Sequence, residues 1–434
     1  MNQKTLLGLI AIAVIVIVAA IWIHQANQPI SETAETAHKL VPDLEAHVND
    51  IDKVVFTGAG SKPIATITRS DHGWSIAEKD GYPADTGKLR EFVLKLASAT
   101  VLEKKTSDKG KYGELGVRDV SDKDAKGVEV ELDGGGKPVK LIVGVPDSRA
   151  SGTFVRRVGD AQSLLVSGRL SADKKTSDWL RKSLVDIPEK RIADVTITHP
   201  DGKVVHVHKN AEGDANFSLA DVPKGREPGA QYTINGVSST LGGLRFDDVL
   251  PAKDAMPDDK AVKARYETFD GLIVDVTAWN DKGTDYAQFK ATLDSDRADQ
   301  HIDAEQADAK AKASAATSAD NKASTEDGTS GTPATHDANA AAGEVASAKP
   351  LAVTDPAKDR ANRLVGLNKE IADLNKRFDG WTYVLPSYKY ADIDKSEEDL
   401  LKAPEAKATP AKNKASGATR AKAHAAKPRK SHVH

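Results

Sequence analysis

The hydrophobic pattern of the chain opens without a period. Leu6 to Ile23 reads LLGLIAIAVIVIVAAIWI, with no charged residue. At ~1.5 Å per residue a helix of this length spans ~27 Å, close to the ~30 Å hydrocarbon thickness of a bilayer. Lys4 and the amino terminus precede the run, and Glu32 and Glu35 follow it. The positive-inside bias therefore puts the N-terminus in the cytoplasm and everything after Ile23 outside. A cleaved signal peptide is the rival reading. The run exceeds the ~7–15 apolar residues usual for such a segment, and cleavage after Ala26 would leave the bulky His24 three positions before the cut. The preferred reading is an uncleaved single-pass anchor at 1–23, followed by a polar stalk at 24–50.

From Ile51 the period becomes two. Val54, Phe56, Ile64, Ile67, Trp74 and Ile76 are separated by Gly58-Ala59-Gly60-Ser61-Lys62 and Ser70-Asp71-His72-Gly73, which predicts three short strands in a meander. Pro83-Ala84-Asp85-Thr86 then opens a helix with Leu89, Phe92, Val93 and Leu96 on one face. Alternation resumes at Val128–Leu132, at Val139–Val143 and in the hairpin Phe154–Val158 with Leu164–Val166. Trp179-Leu180 and Leu184 predict a short helix before Pro188. This stretch, 51–188, is the first expected unit.

A second unit, 189–294, repeats the pattern without repeating the residues. Val195 and Ile197 begin it, Val205 and Val207 continue it, and Phe217 and Leu219 stand in the place of Trp74 and Ile76. Leu241 and Leu244 stand for the helix face, and Val249 for Val101. The strand group Leu272–Val276 with Phe289–Leu293 closes it. The expected fold class is α+β: duplicated antiparallel-sheet units with helices on one face, an N-terminal transmembrane helix, a disordered insert and a C-terminal tail.

The insert is 295–354, rich in Ala, Asp, Ser, Thr and Lys with hardly a bulky apolar residue. Such a stretch buries too little surface to offset chain entropy, so it is expected to be disordered or transiently helical. Order returns at Asp355-Pro356, a cap with proline in the first turn. Leu364, Leu367, Ile371, Leu374 and Phe378 then line a helix, Trp381–Leu385 a strand, and Ser396–Asp399 caps a last turn, so 355–401 reads as helix-strand-helix. From 402 to 434 the chain is a basic tail.

Charge changes this picture more than composition does. The 434 residues carry a formal net charge of -3. Lys402, Lys407, Lys412, Lys414, Arg420, Lys422, Lys427, Arg429 and Lys430 face only Glu405, so the near-neutral total is a cancellation between a basic tail and an acidic remainder. Outside the cytoplasm such a tail has anionic lipid headgroups or envelope polymers as targets, reached by salt-sensitive attraction, and no nucleic acid is expected. The absence of cysteine excludes disulfides, Cys-ligated metal, iron–sulfur clusters and a thiol nucleophile.

No motif supplies a reaction. His206-x-His208 puts two imidazoles on one strand face, half of a metal site, but spacing nominates no third ligand. Gly58–Lys62 lacks the spacing of a phosphate loop. Asp392-Ile393-Asp394 begins like a calcium loop, yet Glu397 stands where glycine is needed and Ala403 where the bidentate glutamate is needed. Asp247-Asp248 and Asp258-Asp259 are sequence neighbours in turns, poorly placed to converge on one substrate. In Arg156-Arg157 one guanidinium is expected to face solvent and the other to pack or pair. Trp74, Trp179 and Trp381 read as core anchors. No catalytic, metal or cofactor residue is nominated, and a non-enzymatic protein is expected.

Several strings resemble a bacterial domain-of-unknown-function (4340) family. They are Trp74 with Tyr82-Pro83-Ala84-Asp85, Gly113-Glu114-Leu115-Gly116, Thr153-Phe154-Val155-Arg156-Arg157, Asp178-Trp179-Leu180 and Phe269-Asp270-Gly271-Leu272, in similar order over roughly 51–293, with a weaker likeness at 381–401. The resemblance implies a membrane-anchored periplasmic domain often encoded beside, or fused to, auxiliary components of gliding-motility-type ABC transporters. The family has no established catalytic residue, so none carries over. The implied localisation is the bacterial inner membrane with the bulk periplasmic, and the implied partners are ABC transporter subunits.

Overall fold

The structure is a computed structural model that describes residues 38–134, 136–149, 151–323 and 350–403. The apolar run Leu6–Ile23 lies outside the described residues. Among the described residues no helix is long and apolar enough to cross a membrane.

Helix α1 (Leu44–His47) leads into the first sheet. Its strands are β1 (Ile51–Gly58), β2 (Lys62–Ser70), β3 (Gly73–Ile76), β4 (Tyr82–Pro83), β5 (Val101–Lys104), β6 (Val128–Gly134), β7 (Val139–Pro146), β8 (Gly152–Arg157) and β9 (Ser163–Ser167). Helix α2 (Thr86–Ser98) precedes β5, and the short α3 (Tyr112–Leu115) precedes β6. After β10 (Ser183–Val185) comes the second sheet: β11 (Ile192–Thr198), β12 (Val204–His208), β13 (Ser218–Leu219), β15 (Asp248–Pro251), β16 (Val262–Thr268), β17 (Leu272–Asp281), β18 (Thr284–Leu293) and β19 (Trp381–Val384). Helix α4 (Gln231–Ser238) and β14 (Leu244–Arg245) lie between β13 and β15, and β14 pairs with β10. Helices α5 (Ser295–Ala323), α6 (Leu351–Thr354) and α7 (Pro356–Phe378) come between β18 and β19, and α8 (Ser387–Ile393) follows β19. The molecule is thus mixed helix and sheet, built on two large antiparallel sheets.

Apart from the extra edge strand β4, the strand orders of the two sheets correspond. The first sheet runs β4-β3-β2-β1-β6-β7-β8-β9-β5 and the second β13-β12-β11-β16-β17-β18-β19-β15. The correspondence extends to a bulge, where pairing slips between Ile51 and Lys53 against β6 and between Ile192 and Asp194 against β16. Following the register outward, Phe56 aligns with Ile197, Val130 with Ala264, Leu141 with Val276, and Arg157 with Phe289. The sheets differ in the connection from β8 to β9 and its counterpart from β18 to β19. Residues 158–162 turn directly from β8 to β9, whereas three helices intervene between β18 and β19.

Helix α2 forms where the sequence places it. The Asp85 side chain accepts the Lys88 N–H at 3.0 Å as N-cap, and Leu89, Phe92, Val93 and Leu96 are buried. Phe92 meets Phe56 edge to face at 5.4 Å, and Phe56 stacks on Trp179 at 4.0 Å. One continuous cluster of buried side chains runs through both sheets. A smaller one, Tyr112, Val117 and Ile142, covers the opposite face of the first sheet. The Gly113–Gly116 string builds that cover: Gly116 ends α3 at φ 68°, and a side chain there would meet the Val145 backbone N at 3.1 Å.

Four expectations are corrected. The insert 295–354 opens with a helix of 29 residues rather than disorder, and Leu351–Thr354 is helical as well. Alanine-rich sequence costs little to keep helical. The first turns are also docked, with Asp294 accepting the Arg297 N–H at 3.0 Å and Ala298 and Ile302 buried. The remainder of the insert, 324–349, lies outside the described residues. Within the stalk 24–50, Leu40 and Leu44 are buried in the first unit and Lys39 bridges to Thr100, because these residues carry apolar side chains to the uncovered end of the sheet. The helix face assigned to Leu241 and Leu244 is shifted: α4 ends at Ser238, a single 3₁₀ turn carries Leu241, and Gly242-Gly243 release the chain so that Leu244 sits in β14. Trp179 ends a 3₁₀ turn and Leu184 lies in β10, so no short helix spans the two.

Candidate functional site

The outward face of the second sheet gathers polar side chains. Period-two alternation buries Val205 and Val207 and leaves His206 and His208 on the other face, as their spacing implies. Their ring centroids are 5.3 Å apart. His206 Nε2 lies 3.1 Å from Asp194 Oδ1, and the Nδ1 of His208 is buried without a hydrogen-bond partner. Arg297, in the first turn of α5, reaches across the strands to Asp194 and Glu267, both at 2.9 Å. Asp194 is thereby shared between an imidazole and a guanidinium. Among the described residues no group of three or more His, Asp or Glu side chains is placed to hold a metal ion. Neither Asp194 nor Arg297 stands out in sequence. The signal available was that an acid precedes Val195 on the wet parity of its strand.

Perturbed titratable groups gather on α8. Lys389 Nζ donates to the Thr240 carbonyl at 2.9 Å, and burial lowers its pKa. Burial raises Asp392 and Asp394, the latter 3.4 Å from His199 Nδ1. Burial also pushes the Tyr390 hydroxyl up to about 12. The lysine is spent as a cap on backbone carbonyls, which suits anchoring of α8 rather than nucleophilic attack. Arg191 is charged despite burial, because hydrogen bonds to Glu370 and Asp270 hold its proton.

The remaining motifs resolve into structure. Arg156 is buried, donating through Nε to the Val117 carbonyl at 2.9 Å and pairing with Asp119, with its guanidinium 4.8 Å over the Tyr112 ring. Arg157 donates to the Leu40 carbonyl. Gly58–Lys62 is the β1–β2 turn. Asp248 pairs with Lys79 at 2.5 Å, and Asp258 accepts the Lys260 N–H at 3.0 Å in its own turn. Trp179 is fully buried, whereas Trp74 and Trp381 are half-buried against the core.

Of the nine tail residues expected to bind polyanions, Lys402 alone lies among the described residues. Its Nζ is 2.5 Å from Glu227, and Arg226 donates to its carbonyl at 3.0 Å. Lys402 therefore fastens the chain where Leu401 bridges to Pro228, with its charge already matched. Lys407, Lys412, Lys414, Arg420, Lys422, Lys427, Arg429 and Lys430 lie outside the described residues.

A groove of about 880 Å³ lies beside α1. The segment Leu40–His47 forms one wall and the β6–β7 hairpin with the end of β8 the other. Leu141 and Val139 are at its base, Val158 is 37% exposed at its rim, and Lys137, Lys140 and Arg157 border it. No motif pointed here, because the wall and base are far apart in sequence.

Residues 74–265, from β3 into β16, match the family model described as Domain of unknown function (DUF4340). The match supports the resemblance carried by the Tyr82, Gly113, Thr153 and Asp178 strings. Neither the curated proteins nor the solved structures give a match.

Proposed function

We propose that this chain is a single-pass inner-membrane protein whose periplasmic sheets form a binding and assembly module accessory to an ABC-type transport complex. The observation that carries the reading is the open groove at the place where the chain following the apolar run joins the fold, at Leu40. An anchored protein presents that end to neighbours standing in the same membrane. The family match and the gliding-motility-type association implied by the resemblance favour a transport complex as the neighbour. Affinity purification of the full chain in mild detergent tests it. Recovery of an ATPase and a permease in stoichiometric amounts is expected, and recovery of no membrane partner overturns the reading.

The excess of cations after Lys402 favours a second reading, in which the tail binds anionic lipids or envelope polymers. Deleting residues 403–434 then abolishes salt-sensitive sedimentation with cell-wall or lipid preparations. Unchanged sedimentation removes it.

A further inference from the structure

Helix α2 carries two adjacent stripes that meet different surroundings. Leu89 and Val93 lie on its core face and are buried, whereas Thr86, Arg90 and Leu94 recur at the i, i+4 spacing one position along and are exposed. Both stripes, together with the Trp74 ring of β3 and the Arg69 side chain of β2, line a cavity of about 250 Å³ that Val48 and Asn49 also border. Part of its apolar wall is wet. Leu94 is 44% exposed, and Val48 and Trp74 are only half-buried. A ligand seated there removes apolar surface from water that the fold itself leaves uncovered.

The charge on the cavity is of one sign. Two guanidinium groups line it and no carboxylate does. Arg69 lies over the Trp74 ring, 5.8 Å from its centroid, and donates through Nη1 to the Asn49 carbonyl at 2.9 Å. These contacts position the guanidinium without neutralising it. Arg90 has no hydrogen bond or ion pair among the described residues. Three neighbouring acids are already engaged. Asp85 caps α2 through the Lys88 N–H, Asp50 is 2.8 Å from His47 Nδ1, and Glu91 is 2.5 Å from Lys95 Nζ.

We propose that this cavity is a binding site for a small organic anion, a carboxylate joined to a flat apolar group the size of a phenyl ring. The planar guanidinium fork matches a carboxylate in two parallel hydrogen bonds. The flat group lies against Trp74 and Leu94, the surfaces that an inorganic anion would leave wet. A cavity of about 150 Å³ accepts benzene, so about 250 Å³ accommodates roughly ten non-hydrogen atoms, a ring with a short acid arm. The site goes beyond the transport reading and does not depend on it.

Calorimetry on the full chain in lipid nanodiscs tests the proposal, with empty nanodiscs correcting for partition into the bilayer. The probes are 3-phenylpropionate, its amide and acetate. The acid is expected to bind with a dissociation constant of about 1 mM or tighter. The amide keeps the shape without the charge and binds at least about tenfold more weakly, and acetate shows no saturable binding. Methyl resonances of Leu89, Val93 and Leu94 shift with the acid, and those of Val276 in the second sheet do not. Arg90→Glu lowers the affinity at least about tenfold, and Leu94→Asn weakens it as well. Arg90 and Leu94 are exposed on α2, so loss of folding does not imitate these results. Equal binding of acid and amide, affinity unchanged by Arg90→Glu, or no saturable binding of the acid overturns the proposal.

Discussion

The Tyr82 ring meets the Trp381 ring edge to face at 5.0 Å, joining the last edge strand of the first sheet to β19 of the second. Phe246 lies 5.6 Å from Tyr82 on the same side, and Lys79, three residues earlier, pairs with Asp248. The junction is an aromatic cluster with an ionic contact at its margin. It holds the two sheets as one mechanical unit.

Tyr82→Ala removes the centre of that cluster. Truncation of a buried aromatic costs about 3–5 kcal/mol. Calorimetry is expected to resolve two transitions in place of one, because each sheet keeps its own strand pairing while the coupling is lost. A single transition shifted as a whole would show that the sheets are coupled elsewhere.

Gly116→Ala tests the cover over the outer face of the first sheet. The positive φ strains a side chain here, and the 3.1 Å approach to the Val145 N makes a methyl group fit tightly. A left-handed non-glycine residue costs about 1–2 kcal/mol before any clash is counted. A loss of roughly 2 kcal/mol or more by urea denaturation is expected, with increased exposure of Tyr112. A change under 0.5 kcal/mol would mean that the turn relaxes freely.

Asp392→Asn gives a pH dependence of known sign. Burial raises the Asp392 carboxyl above its ordinary 3.8. The folded state therefore binds more protons than the unfolded chain between 3.8 and the raised value. The stability this proton confers is full below 3.8 and is lost as pH rises through the folded pKa. Asparagine stays neutral throughout. The variant is expected to be more stable than its parent at pH 7, with the advantage vanishing below pH 3.8. Urea melts at both ends of that range decide it, and a parent as stable as the variant at pH 7 contradicts the assignment.

Ile302→Ala loosens α5. Ile302 is 4% exposed, and such a truncation costs about 2–5 kcal/mol. Hydrogen exchange is expected to rise at least tenfold in 299–310 while the amides of β17 keep their protection. Equal loosening of both would make α5 an integral part of the sheet's cooperative unit.

Much of the fold is legible in local pattern. The alternation of Val128, Val130 and Leu132 against Val139, Leu141 and Val143 gives β6 and β7 directly, and Asp85 with Leu89, Phe92 and Leu96 gives α2. These elements are set by contacts within a few residues, so a period suffices to find them. Leu244 misleads because it continues a helical spacing that the Gly242-Gly243 pair breaks. The stretch after Ser295 misleads because its composition lacks apolar bulk. Its helix is held by Ala298, Ile302 and by Arg360 with Asp299 and Asp303, partners some 60 positions away.

The chemistry divides in the same way. His206 and His208 share a face by strand parity alone, but Arg297 reaching Asp194 needed α5 to fold back onto β11 and β16. By itself the sequence determined the apolar run, the basic tail, the alternating strands and the repeated pattern from Ile51 to Leu293, because each depends on near neighbours along the chain. Tertiary structure alone decided that α7 covers β18 while the segment Leu40–Leu44 covers the equivalent surface at Leu141. That difference depends on what each sheet meets across its face, and no periodicity along the chain encodes a partner that distant.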